Sequence, residues 1–163
     1  YLEAYFSKYK NIWCQGDYAE ETVGGSFIVY GRSDATLNSG GIRIGTAELY
    51  NIVEKINSVY ESVAVEQRFK NDTRVILFVK LKENIKLDGV LKEKIKRKIK
   101  QSLSPRHIPS KIIQVFDIPK TKSGKVVELA IKKIINNERV ENASSLVNPE
   151  SLEDYKNIVE LKY

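Results

Sequence analysis

Gly31-Arg-Ser-Asp-Ala-Thr-Leu-Asn-Ser-Gly-Gly-Ile-Arg-Ile-Gly-Thr-Ala-Glu48 is the stretch on which the reading of this chain turns. It follows a β-like run, Phe27 to Tyr30, and leads into a segment where Leu49, Ile52, Val53 and Ile56 recur at helical spacing. It therefore joins two packed regions. Arg32, Asp34 and Arg43 lie in it among glycines, and Gly40-Gly41 permits positive φ and the close approach of a ligand or another backbone. Alone, such a stretch is a surface turn with solvated charges. Two further segments, one on each side, change that balance.

Working back toward the start, Tyr18 to Thr22, a Gly24-Gly25 turn and Phe27 to Tyr30 form a β-hairpin. Before it, Ile12-Trp13 reads as a short strand, Gly16-Asp17 as a turn, and Leu2, Tyr5, Phe6 and Tyr9 as the end of an amphipathic helix. Residues 1–33 are too few to fold alone and are expected to be the C-terminal end of a larger N-terminal domain. The lack of any methionine among 163 residues, with Tyr1 in front, points the same way, to a piece of a longer protein.

Working forward, a small hairpin through Leu37 to Ile44 is followed by a helix that Thr46 can cap, with Glu48 in its electropositive first turn. Val63 and Val65 alternate with polar neighbours, and Arg74 to Lys80 is a nearly continuous apolar run, the mark of a strand covered on both faces. An Asn71-Asp72 turn joins the two. A basic helix begins near Asp88 and stops before Pro105, with Leu91, Ile95, Ile99 and Leu103 on one stripe. A strand at Lys111 to Phe116, a polar loop and a helix carrying Val127, Ala130, Ile131 and Ile134 follow. The class is α+β: a short central sheet with flanking helices over 34–140 in a two-layer arrangement, then a polar tail, 141–163, with a short helix from Pro149.

Composition narrows the functions. A net charge of +6 favours phosphate-bearing or polyanionic partners. One alternative is a basic module for nucleic acid, but no recognised nucleic-acid motif or stacking array is present, so no nucleic-acid partner is expected. One cysteine and one histidine leave too few soft ligands for a zinc site, and no apolar run approaches the roughly 20 residues a membrane span needs. No metal site and no membrane partner are expected, and the setting is read as cytoplasmic.

The first flanking segment is Pro119-Lys-Thr-Lys-Ser-Gly-Lys125. Ser123-Gly124 supplies a turn, and Lys125 stands where a helix is expected to start, beside unpaired N–H groups. A cation there is locally unfavourable unless an anion joins it. The segment is not a P-loop: Pro119 stands where the first glycine belongs and Val126 where a hydroxyl residue would hold Mg²⁺. Lys125 must complete a phosphate site built elsewhere. The second is Gln15-Gly16-Asp17, whose carboxylate can accept from the hydroxyls of a ribose.

The order Gly-Asp, Gly-Arg-Ser-Asp, Gly-Gly-Ile-Arg, then Pro-Lys-Thr-x-Ser-Gly-Lys resembles the C-terminal portion of acyl-adenylate-forming enzymes, the acyl-CoA synthetases and their relatives. The resemblance covers nearly the whole chain, including Ser104-Pro-Arg-His-Ile-Pro109 and the Asn148-Pro-Glu-Ser-Leu152 tail. It implies an ATP-dependent acid–thiol ligase: a carboxylic acid is activated as acyl-adenylate with release of pyrophosphate, then transferred to coenzyme A. Acetoacetate is the short acid implied. Gly40 occupies a place where acetate-activating members carry a serine, which argues against acetate.

The resemblance also implies roles. Lys125 would be the adenylation lysine. Asp17 would bind the ATP ribose, Arg32 the ribose or phosphate, and Arg43 would lie near the phosphates or the thioester-forming centre. Asp34 would be the hinge about which a small mobile domain rotates between the two steps. Gly40 and Gly41 would let the pantetheine arm pass, while Lys100 and Arg106 would face the phosphates of coenzyme A. Mg²⁺ would be held by ATP and the N-terminal domain, and the fragment alone would be inactive. A relative with a carrier-protein acceptor is the second alternative.

Overall fold

The computed structural model describes residues 1–39, 41–140 and 143–163. Its centre is a three-stranded sheet, β5 (Val59–Phe69), β6 (Asp72–Leu81) and β7 (Lys111–Val115), in that order, with β5 antiparallel and β7 parallel to β6. β5 and β6 are joined by Lys70 and Asn71, both at positive φ, as a two-residue hairpin turn demands. The turn thus falls one residue before the expected Asn71-Asp72.

β6 is central and buried on both sides. Val75, Leu77 and Val79 pack with Leu49, Val53, Ile95 and Ile99, whereas Ile76 and Phe78 pack with Ile131, Ile135, Tyr155 and Leu161. The period-2 side-chain alternation of the strand therefore feeds two separate cores. The first lies under α2 (Thr46–Val53) and α3 (Gly89–Ser102), the second under α4 (Glu128–Ile135) and the last residues of the chain. The expected two layers are three, with helix on either face of the sheet.

α3 forms as its pattern predicts: Asp88 caps it by accepting from Leu91 N at 2.7 Å, and Leu91, Ile95 and Ile99 are buried. α2 departs from expectation at its start. Its N-cap is Gly45, without a side-chain cap bond, and Thr46 is the first helical residue, buried to 3% exposure. Packing explains this, since a Cβ on Gly45 would meet the Tyr30 carbonyl oxygen at 2.6 Å.

The tail is structured by contact with the sheet's second face. Three 3-10 turns, Ala143–Ser145, Pro149–Tyr155 and Val159–Lys162, bring Leu146, Leu152, Tyr155 and Leu161 inside, in place of one short helix from Pro149. The Tyr155 hydroxyl donates to the Asp117 carbonyl at 3.0 Å, and Gln67 and Arg74 donate to the Leu161 carbonyl at 3.1 and 2.8 Å. Val159 is exposed.

Ahead of this body stand α1 (Leu2–Phe6), a hairpin of β1 (Asp17–Glu21) with β2 (Phe27–Arg32), and a shorter hairpin of β3 (Leu37–Ser39) with β4 (Ile42–Ile44). Ile12-Trp13 is not a strand. Trp13 instead stacks on Tyr5 at a centroid distance of 4.2 Å and meets Tyr1 and Phe6 edge-on. Among the described residues no helix is long and apolar enough to cross a membrane.

Candidate active site

Between the first hairpin and the β3–β4 hairpin lies an open cleft of about 350 Å³, lined by Gln15, Gly16, Arg32, Ser33, Asp34 and Arg43 together with residues around α1. A β-bulge opposite Tyr18 and Ala19 shifts the register so that Asp17 faces Arg32 directly. Arg32 Nη1 then lies 3.6 Å from Asp17 Oδ1 and donates to the Gln15 carbonyl at 2.6 Å. Its other edge donates to Asp34, Nε to Oδ1 at 3.4 Å and Nη2 to Oδ2 at 3.3 Å. Asp34 and, less strongly, Asp17 raise the Arg32 guanidinium above its ordinary pKa against the opposing effect of burial.

Glycine is needed at position 16. Its φ is +84°, and a Cβ would fall 2.8 Å from Arg32 Nη2. The Gly16 carbonyl accepts from both Ser33 N at 2.7 Å and Ser33 Oγ at 2.8 Å, which clips the turn carrying Asp34 onto the turn carrying Asp17. Asp17, Arg32 and Asp34, from two separate motifs, thus form one cluster, and Arg43, exposed on β4, lines the cleft beside it. Gly41 has φ +84° with open space around it. Gly40 lies outside the described residues.

Lys125 is on a different device from the one expected. α4 begins only at Glu128, and Lys125 belongs to a tight hairpin in which Lys120 pairs with Val126. Thr121 Oγ1 accepts from Lys125 N at 3.1 Å, Thr121 N donates to the Lys125 carbonyl at 2.8 Å, and Gly124 turns the chain at φ +81°. The Lys125 backbone is therefore satisfied locally, not left at a helix end. Its side chain is exposed, and among the described residues it makes no hydrogen bond or ion pair.

Lys120, on the same hairpin, is tied down. Its Nζ lies 2.8 Å from Glu61 Oε1, which raises its pKa, and its N–H donates to Asn148 Oδ1 at 2.9 Å. Asn148 in turn donates to Asp117 Oδ2 at 2.6 Å, and Lys80 donates to Asp117 Oδ1 at 2.7 Å. The foot of the hairpin is thus anchored to the sheet and to the tail, so that an unpaired cation is presented at its tip. That is the arrangement a developing negative charge requires: a positioned donor already in place.

Lys100 and Arg106 are exposed, at the end of α3 and in the 3-10 turn Pro105–His107. They are not among the residues lining the Arg32 cleft. A contact that sequence reasoning missed locates that turn: His107 Nε2 lies 3.2 Å from Glu48 Oε2 while Nδ1 meets Ser104 Oγ at 2.8 Å. The turn carrying Arg106 is thereby fastened to the first turn of α2, directly after β4. Among the described residues no cluster of three or more His, Cys, Asp or Glu could hold a metal ion.

A family model for the C-terminal domain of AMP-binding enzymes matches residues 48–125. The solved acetoacetyl-CoA synthetase from Streptomyces lividans superposes on the chain with a TM-score of 0.89 at 33% identity, covering 100% of this chain and 25% of that one. Residues 48–125 thus carry the C-terminal domain of the AMP-binding enzyme family, and the chain has the fold of that part of an adenylate-forming enzyme. Within that family it is 49% identical to acetoacetyl-coenzyme A synthetase of Rhizobium meliloti (strain 1021) over 99% of this chain and 25% of that protein. It is 43% identical to acetoacetyl-CoA synthetase of Xenopus tropicalis over 99% of this chain and 24% of that protein. The chain spans about a quarter of the length of the curated relatives it matches.

Proposed function

We propose that this chain is the mobile C-terminal part of a cytoplasmic, AMP-forming acetoacetate–CoA ligase, working with a larger N-terminal domain in fatty-acid or ketone-body metabolism. The names of its relatives, held over almost the whole chain, carry the reading. The unpaired Lys125 at the tip of an anchored hairpin supports its chemistry. Residues 1–33 end the large domain, 34–140 form the moving domain, and 141–163 strap its back.

In the first step a carboxylate oxygen of acetoacetate attacks the α-phosphorus of ATP and pyrophosphate leaves. Lys125 neutralises charge gathering on the carboxylate and α-phosphate oxygens, with no proton transferred. Asp17 accepts from the ribose hydroxyls, and Arg32 turns a guanidinium edge to ribose or phosphate. Mg²⁺ would be held by ATP and by residues outside this chain, where it would offset phosphate charge. In the second step the domain has rotated about Asp34, Lys125 has withdrawn, and the Gly40-Gly41 wall admits the pantetheine arm. The thiol sulfur attacks the acyl carbonyl and AMP leaves. Arg43 stands near the phosphates or the thioester centre, and Lys100 and Arg106 face the phosphates of coenzyme A. The His107–Glu48 fastening supports Arg106 in that role, because it holds the turn near the end of β4.

The test is pyrophosphate release and thioester formation by the full-length protein against a panel of short acids, with coenzyme A and a carrier protein as rival acceptors. Acetoacetate with coenzyme A is expected to give the highest kcat/KM. Preference for acetate, or transfer only to the carrier protein, overturns the assignment.

A further inference from the structure

The second leg of the Lys125 hairpin runs straight into a buried polar chain. Ala64 N donates to the Tyr50 hydroxyl at 3.1 Å, and that hydroxyl donates to Glu128 Oε1. Glu128 is the first residue of α4, three positions after Lys125; Tyr50 is on α2 and Ala64 on β5. Each bond in such a chain polarises the next, and a half-satisfied chain would be costly. Thr46, buried at the start of α2, stands beside the same carboxylate and favours its charged form, although burial outweighs this and raises the Glu128 pKa. Thr46 Oγ1 would also lie 3.0 Å from a Cβ on Gly31, which leads into Arg32 and Asp34. The chain of bonds therefore sits where the Lys125 hairpin, α2 and the Asp34 turn meet.

The two legs of the hairpin are held differently. The first is pinned by the largely buried ion pair of Lys120 with Glu61 and by the bond from Lys120 N to Asn148 Oδ1. The second leaves the Lys120–Val126 bridge and reaches its next long-range bond at Glu128. Without that bond the strand following Lys125 keeps its backbone closure onto Pro119 but loses its tie to α2.

We propose that Glu128 is a positioning residue for the first half-reaction: bonded to Tyr50, it fixes the pose of Lys125 relative to α2 and the Asp34 turn. The inference rests on the reading of Lys125 as the adenylation lysine. Glu128 does not touch substrate. It acts by holding the ammonium where charge develops, and misplacement by about 1 Å can cost about a hundredfold in rate.

The experiment uses the full-length enzyme and measures acetoacetate-dependent pyrophosphate exchange separately from thioester formation from supplied acyl-adenylate. Glu128→Ala is expected to lower kcat of the exchange by about 10- to 100-fold, with KM for ATP changed less than about twofold and thioester formation unaltered. Glu128→Gln keeps an acceptor for Tyr50 and is expected to recover most of the rate. Tyr50→Phe is expected to reproduce the loss, and the double variant to be no worse than either single one. Exchange at near wild-type rate in Glu128→Ala overturns the proposal, as does an equal fall in both half-reactions or a Gln variant as slow as the Ala variant. Lys125→Ala in parallel separates the two readings: if it spares exchange, the role of Lys125 fails; if it abolishes exchange while Glu128→Ala does not, only the positioning role fails.

Discussion

Arg32 and Asp34, two residues apart, meet edge to edge, with Nε and Nη2 donating to the two carboxylate oxygens at 3.4 and 3.3 Å. The residue assigned to ATP and the residue assigned to the hinge are therefore partners in this pose. An Arg32 drawn onto a ribose or phosphate oxygen must release some of its hold on Asp34, so ligand binding and freedom at the turn are linked.

Arg32→Lys keeps the charge but not the fork. In the full-length protein it is expected to weaken ATP binding by about tenfold, the loss of roughly one charge-assisted hydrogen bond. Calorimetric titration with ATP checks this, and unchanged affinity removes Arg32 from the nucleotide site.

Lys125→Ala removes the unpaired cation without touching the backbone closure of its hairpin. Pyrophosphate exchange is expected to fall by about a hundredfold or more, and thioester formation from supplied acyl-adenylate to persist. Survival of the first step at near-normal rate refutes the assignment.

Asp34→Pro fixes φ at the proposed pivot. Adenylation is expected to continue while thioester formation stops, as read by separate half-reaction assays. Because the substitution also deletes the Arg32 partner, Asp34→Asn serves as the control and is expected to leave both steps within a few-fold of wild type. Equal loss of both steps in the proline variant signals misfolding instead.

Acid should loosen the foot of the hairpin. Burial pushes the Asp117 carboxyl up, but bonds from Lys80, Asn148 and the Ile118 N–H outweigh it and hold its pKa below the ordinary carboxylate range. The native state then binds fewer protons than the unfolded state, so this stabilisation is present above the ordinary carboxylate range and lost as pH falls through it. Lys120, raised by its bond to Glu61, remains charged throughout, and Tyr155, pushed up by burial, remains neutral. Asp117→Asn is expected to cost up to about 1 kcal/mol at pH 7, the pair being partly exposed, and less at about pH 3. Urea unfolding at the two pH values measures the difference.

The fold was most legible where one periodic face met one partner. The Leu91-Ile95-Ile99 stripe and its Asp88 cap needed nothing distant to be read, and neither did the apolar run of β6. Trp13 escaped because aromatic clustering with Tyr5 overrode strand propensity. The third layer escaped because 3-10 turns lack the 3.6-residue period, so the spacing of Leu152, Tyr155 and Leu161 does not announce the face they bury. The motif residues Asp17, Arg32, Asp34 and Arg43 were visible singly, but the cleft that Arg32, Asp34 and Arg43 line, with Asp17 against Arg32, depends on a bulge and a clip onto the Gly16 carbonyl. Glu61 with Lys120, Glu48 with His107, and Tyr50 with Glu128 are each about 59 to 78 residues apart in sequence, and no local pattern announces such pairs.

The first hairpin leaves Val23, Phe27, Ile28 and Val29 open to water on a two-stranded ribbon. Bare oily strands of this kind glue onto one another or onto the quality-control machinery of a cell. Ile28 and Val29 therefore mark a face that another surface must cover before the ribbon can persist in water.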